Sequence, residues 1–262
     1  MLLFVGDFEA RTRTGFFFKM EQLAFTEFLN HWFGGAVLAL LQALHIAVKH
    51  PTRPISDSFA MEVLVFLLLL LFFLAARMRL SVDSPGAVQH VVEGIEGFIG
   101  DMGDEVIGHH YKQYVPYLVV LGLFILVANL IGLIPGLESP TGVPIVPLGC
   151  AITTWVYYHY QGIRRNGVLG YLKHFAGPVW WLAPLMFPIE IFSHLARVMS
   201  LTIRLFANMF AGEMVTLVFF SLVPLFVPII FMGLHIGVAV IQTYIFVLLA
   251  CVYLGEATAH EH

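Results

Sequence analysis

From Val63 to Ala76 the chain reads VLVFLLLLLFFLAA, fourteen residues without a charge, an amide or a break. Extended back to Ala60 and closed by Arg77 and Arg79, this run is long enough to cross a hydrocarbon layer of about 30 Å, which takes about 20 residues of helix. Inside lipid every backbone N–H and C=O must be satisfied within the chain, so such a segment can only be a transmembrane helix. The rest of the sequence fits that solvent: 59% of the 262 residues are hydrophobic and 11% are charged, against roughly 25% charged in soluble domains. The formal net charge of -4 comes from scattered acids, which gives neither a nucleic-acid surface nor a polybasic lipid patch.

Further spans follow from the same reasoning. Pro116 to Ile134 is a second span, stopped by PGLESPTGVPIVP, and Pro147 to Tyr160 returns as a third, more polar one. The last two blocks, about Phe187 to Leu222 and Val227 to Leu254, would measure roughly 50 Å and 40 Å as helices and must tilt or lie partly flat. Pro224 and Pro228 between them suit a turn and a helix restart. Ala87 to His110 spreads Val91, Val92, Ile95, Phe98, Ile99, Val106 and Ile107 among acids and glycines, the pattern of an amphipathic interfacial helix. A second surface stretch runs from Gly167 to Gly177, and Asn30 to Val48, interrupted by Gly34, Gly35, Gln42 and His45, reads as interfacial or re-entrant. The expected fold is an all-α membrane protein of about five transmembrane helices plus amphipathic interfacial helices. Residues 1–58 form an N-terminal arm and residues 59–262 the membrane domain.

The opening run MLLFVGDF is too short and wrongly flanked for a signal peptide, and Met20, just before the amphipathic EQLAFTEFLNHWF, stands beside Met1 as an alternative start. Arg77, Arg79, Lys112, Arg164, Arg165 and Lys173 belong on the cytoplasmic side by the positive-inside rule. That puts the amino terminus outside and the GEATAHEH tail in the cytoplasm. Cys150 and Cys251 lie in apolar runs without metal-ligand spacing, and His109 with His110 and His260 with His262 lack a third ligand.

Polar residues inside the spans carry the functional signal. At about 100° per residue, Glu190, Ser193, Arg197, Ser200, Arg204 and Asn208 fall within roughly 40° of the Arg204 direction. A charge at mid-bilayer costs at least about 2.5 to 3.5 kcal/mol, so this stripe must meet protein, water or a partner. Arg197 can snorkel towards the interface and Arg204 cannot. Glu213 lies about 180° around the helix from Arg204 and some 13 Å further out, while His235 and Gln242 share one face of the last helix. Carboxylate, imidazole, amide and hydroxyl groups can line a hydrated proton path. A guanidinium cannot relay a proton but attracts carboxylates. Access paths on both sides of such a block suggest two half-channels joined only by a moving carrier. Structural alternatives are an ion pair of Arg204 with Glu213 or Glu190, and a hydrogen-bonded pair of Glu213 with His235.

The segments SLTIRLFANMFAGE from Ser200, HIGVAVIQTYIF from His235 and VYLGEA near the end resemble subunit a of the F-type rotary ATP synthases. PIE with Glu190, ANLIGLIPG around Asn129, the ESPTG loop and the order of spans extend the resemblance over about Phe59 to His262. It implies a non-catalytic stator subunit of a bacterial inner membrane, without cofactor, working against a rotor ring of c subunits and beside the peripheral stalk subunit b. Arg204 would face the ring carboxylates. Glu213, His235 and Gln242 would belong to the outer half-channel, with Asn208 near Arg204, and Glu190 and Ser193 to the cytoplasmic one. Arg197 stands where many relatives carry lysine, and His194 adds a second titratable group beside Ser193. The competing class, a self-contained ion channel or secondary transporter, would be built on repeats or broken helices, and the chain has no repeat of note. A membrane hydrolase would need a motif such as HExxH or GxSxG, and neither occurs.

Overall fold

The computed structural model describes residues 24–43, 54–78, 86–108, 110–134, 137–176, 183–222 and 227–258. The expectations for Met1 to Met20, for the turn at Pro224, and for His109, His260 and His262 lie outside these residues. Seven α-helices occur among them: α1 Ala24–Ala43, α2 Asp57–Met78, α3 Ala87–Ile107, α4 Val115–Ile131, α5 Ile145–Ala176, α6 Ala183–Leu222 and α7 Val227–Thr258. Short 3-10 turns at Tyr111–Gln113 and Pro140–Gly142 flank α4 and lead into α5.

The chain divides into two compact units, Met1–Ala60 and Met61–His262. In the first, the Asn30 amide on α1 closes a two-point clasp on Ile55: its Nδ2 donates to the Ile55 carbonyl at 3.1 Å and its Oδ1 accepts the Ile55 N–H at 3.0 Å. One side chain thereby satisfies both backbone groups of a residue just before α2, where the Ser56 Oγ caps the helix by accepting the Phe59 N–H at 3.3 Å.

Helices α2, whose residues from Met61 onward belong to the second unit, α6 and α7 are each long and apolar enough to cross a membrane, and α4 is a shorter apolar helix. Phe66, Leu67, Leu68, Leu70, Leu71 and Leu74 of α2 stay exposed, an arrangement that suits hydrocarbon and not water. Its other side, Val65 and Leu69, packs against Ala128 and Ile131 of α4. At about 1.5 Å per residue the 40 residues of α6 and the 32 of α7 exceed the hydrocarbon thickness, the reason to expect tilt. Pro228 falls in the first turn of α7, where a missing N–H costs nothing. The core is built where α7 meets α3, α4, α5 and α6, around Leu118, Ile125, Leu205, Met209, Phe246 and Leu254.

One boundary expected from the sequence is absent from the structure. The third span and the surface stretch after it join as α5, which leaves helical conformation only at Gly167 (φ 71°, ψ 162°). QGIRRN between them contains nothing that stops a helix, and the positive φ at the break is one that glycine adopts without penalty. Past that break the helix remains folded onto the bundle: Tyr171 is buried, and an ideal Cβ on Gly162 would lie 2.5 Å from its ring and 2.8 Å from the Ala257 carbonyl oxygen.

Candidate functional site: a polar line along the last two helices

Every third or fourth residue of α6 turns inward, and Leu201, Leu205 and Met209 mark the buried face. Arg204 and Asn208 each precede a buried residue by one position, so they sit at its margin, beside the exposed small residues Ser200, Ala207 and Ala211. Arg204 is half-buried; its Nη2 donates weakly to Ser200 Oγ at 3.4 Å, and it makes no ion pair among the described residues. One turn further, Asn208 Nδ2 donates to Gln242 Oε1 at 2.8 Å, joining α6 to an α7 amide that is 2% exposed.

Beyond Arg204 the line reaches a cluster made with the loop after α4. Glu213 Oε1 accepts the Ser139 N–H at 3.3 Å. Ideal Cβ atoms on Gly132 and Gly142 would stand 3.0 and 2.9 Å from the Glu213 carboxylate, so only hydrogen at those positions leaves it room. The loop is fastened to the core: Ser139 Oγ donates to the Ala128 carbonyl at 3.0 Å, Thr141 Oγ1 donates to Asn129 Oδ1 at 2.7 Å, and Asn129 Nδ2 reaches the Ala239 carbonyl of α7 at 3.4 Å. His235 is buried with its ring laid on Gly212, whose ideal Cβ would be 3.2 Å from three ring atoms. Among the described residues no hydrogen bond joins Glu213 to His235, and none reaches His235 Nε2.

On the other side of Arg204 lies a separate cluster between α5, α6 and α7. Glu190 Oε1 is 3.3 Å from His194 Nε2, and His194 Nδ1 is 2.8 Å from the Tyr158 hydroxyl. His159, ring to ring with His194 at 4.7 Å, meets the Tyr171 hydroxyl at 2.5 Å. Arg197 does not extend freely: it pairs with Glu256 at 2.5 Å and covers the Tyr253 ring at 4.8 Å. Tyr158, Tyr171, Glu190, His194, Arg197, Tyr253 and Glu256 line a cavity of about 20 Å³, room for about one water. Ser193 is half-buried next to His194, with no hydrogen bond to this cluster among the described residues.

Of the residues singled out in the sequence, the structure brings Asn208 to Gln242 and sets Glu190 in the Tyr158, His194 and Arg197 cluster. Glu213 and His235 hold neighbouring places through Gly212. Arg204 meets neither acid. Sequence reasoning missed Ser139 and Thr141 as partners of the outer cluster and Tyr158, His159 and Tyr171 in the inner one. Glu190 and His194 are four apart on one helix and could have been paired from spacing alone; Tyr158, 36 residues before His194, could not. No group of three or more His, Cys, Asp or Glu residues that could hold a metal ion occurs among the described residues.

Fold and site together define an α-helical membrane protein in which the last two helices carry a line of ionisable and amide groups through an apolar bundle. The family model described as ATP synthase A chain matches residues 59–255. ATP synthase subunit a of Koribacter versatilis (strain Ellin345) is 63% identical over 242 residues, covering 92% of this chain and 99% of that relative. The ATP synthase subunit a of Solibacter usitatus (strain Ellin6076) is 49% identical, covering 89% and 99%, and that numbered 3 of Pelobacter propionicus is 44% identical, covering 83% and 94%. The chain belongs to this family, subunit a of the F-type ATP synthases, membrane proteins of ATP synthesis and proton transport.

Proposed function

We propose that this chain is the non-catalytic stator of a proton-driven rotary ATP synthase in a bacterial inner membrane, with its amino terminus outside and its carboxyl terminus in the cytoplasm. Residues 59–262 provide two offset half-channels, and residues 1–58 are an accessory arm. Protons enter past Glu213 and His235, cross to a c-ring carboxylate near Gln242 and Asn208, and leave by Glu190 and Ser193 after nearly a full turn of the ring. Arg204 draws the returning carboxylate into ionisation and blocks a direct wire between the two paths, because a guanidinium holds its proton. The peripheral stalk subunit b would hold the chain against the ring's motion. Each charge crossing the membrane contributes about 2.3 kcal/mol per 100 mV.

The observation that carries this reading is Arg204 itself: half-buried, flanked by exposed small residues, without a carboxylate among the described residues, and between two polar clusters that do not touch it. A cation so placed calls for an anion from another chain. The test is Arg204→Ala in the assembled complex, reading ATP-driven proton pumping and passive proton leak. Pumping is expected to vanish and leak to rise, and undiminished pumping overturns the reading.

A further inference from the structure

Glu190, the acid of the inner path in the reading above, does not stand alone. Its side chain keeps 34% of its surface exposed, while the His194 ring four residues on is buried beneath it. Both ring nitrogens have partners: Nε2 the Glu190 carboxylate at 3.3 Å, Nδ1 the Tyr158 hydroxyl at 2.8 Å. An ionised carboxylate can only accept, so Nε2 carries the hydrogen in that state, and Nδ1 of a neutral ring then accepts from Tyr158. If the ring takes a second proton, on Nδ1, the same hydroxyl oxygen accepts instead. Tyr158, 2% exposed on α5, therefore satisfies Nδ1 in either charge state and leaves the Nε2–H on Glu190 in both.

Arg197 and Tyr171, which also face the ring, have partners of their own. From α6 it is faced by Glu190 and Arg197, from α5 by Tyr158, His159 and Tyr171, and from α7 by Tyr253 and Glu256. Arg197 occupies Glu256 and lies over Tyr253, and Tyr171 bonds to His159. The cavity of about 20 Å³ lined by Glu190, His194, Tyr158 and Arg197 among others has room for about one water beside the Glu190 and His194 pair.

We propose that His194 is a positioning residue of the inner path: its Nε2–H fixes the Glu190 carboxylate for proton exchange, and Tyr158 fixes the ring. This inference rests on the stator reading. It is tested in the assembled complex in inverted vesicles, reading ATP-driven proton pumping, with ATP hydrolysis in the presence of an uncoupler as the check on assembly. His194→Leu removes the donor and is expected to slow pumping about fivefold or more. His194→Gln keeps an N–H at the same reach and should recover to within about twofold of the native rate. In a Glu190→Gln background, itself slow, His194→Leu should change the rate by less than about twofold, because the group it positions is gone.

Tyr158→Phe, which keeps the ring's packing and loses only the hydroxyl, carries the test if His194→Leu fails to assemble. It should slow pumping about threefold in the native background and leave the Glu190→Gln rate unchanged. Native rates in His194→Leu or Tyr158→Phe, equal damage from His194→Gln and His194→Leu, or losses that multiply with Glu190→Gln overturn the proposal. A Glu190→Gln complex that pumps at the native rate overturns it differently, by removing Glu190 from the path and with it the inner half of the stator reading.

Discussion

Gly142 sets the space available to Glu213: an ideal Cβ on the loop glycine would lie 2.9 Å from Glu213 Oε2. Gly142→Ala must therefore displace the carboxylate while leaving its chemistry intact. Pumping by the assembled complex is expected to fall about threefold to tenfold, since small misplacements of reacting groups carry large rate penalties. Adding Glu213→Asp, which withdraws the carboxylate by one methylene, should return part of the loss. A double variant slower than either single one would show that the alanine acts elsewhere in the loop.

The His235 ring on Gly212 gives a prediction about stability. Gly212→Ala puts a methyl 3.2 Å from three ring atoms of a buried imidazole, whereas an ideal Cβ on Gly149 of α5 meets nothing within 4 Å. Overpacking of this kind costs about 1 to 3 kcal/mol. The melting temperature of the purified chain in detergent should fall for Gly212→Ala and hold or rise for Gly149→Ala, where alanine improves the helix.

Asn208 and Gln242 form a hydrogen bond between helices that a double-mutant cycle can weigh. With Asn208→Leu, Gln242→Leu and the double variant, unfolding in detergent should give a coupling of about 0.6 kcal/mol and no more than about 1.7 kcal/mol, the average and the maximum for such bonds in membranes. Additive losses would mean that the 2.8 Å contact contributes nothing beyond packing.

At the inner end, Arg197 both pairs with Glu256 and stacks on Tyr253. Lysine keeps the charge but not the plane, so Arg197→Lys should lose part of the melting temperature lost by Arg197→Gln, not none of it. Because the Glu256 side chain is 50% exposed, the ionic share is expected to stay below about 1 kcal/mol and to shrink in high salt, leaving the stacking share.

Much of the fold could be read from the sequence because the bilayer leaves few choices. A run such as Val63 to Ala76 has one way to satisfy its backbone in lipid, and Pro228 and Gly167 punctuate helices for reasons local to each residue. The Arg204 stripe was equally legible, since helical angle follows from spacing. What could not be read was which polar groups meet across helices. Ser139 reaches Glu213 over 74 residues and Tyr158 reaches His194 over 36, and no periodicity encodes those distances. Arg197 shows the limit from the other side: its length alone suggested a path to the interface, while Glu256 and Tyr253 of a different helix hold it.

The two bonds between α6 and α7, Asn208 to Gln242 and Arg197 to Glu256, have a mechanical consequence. They lie eleven residues apart on α6, about 16 Å along its axis, like two dowels through a pair of rods. Sliding one helix past the other by a single residue, about 1.5 Å, would have to shear both together. Arg204 lies on α6 between these two positions, so an axial slip that displaced it would break both bonds at once.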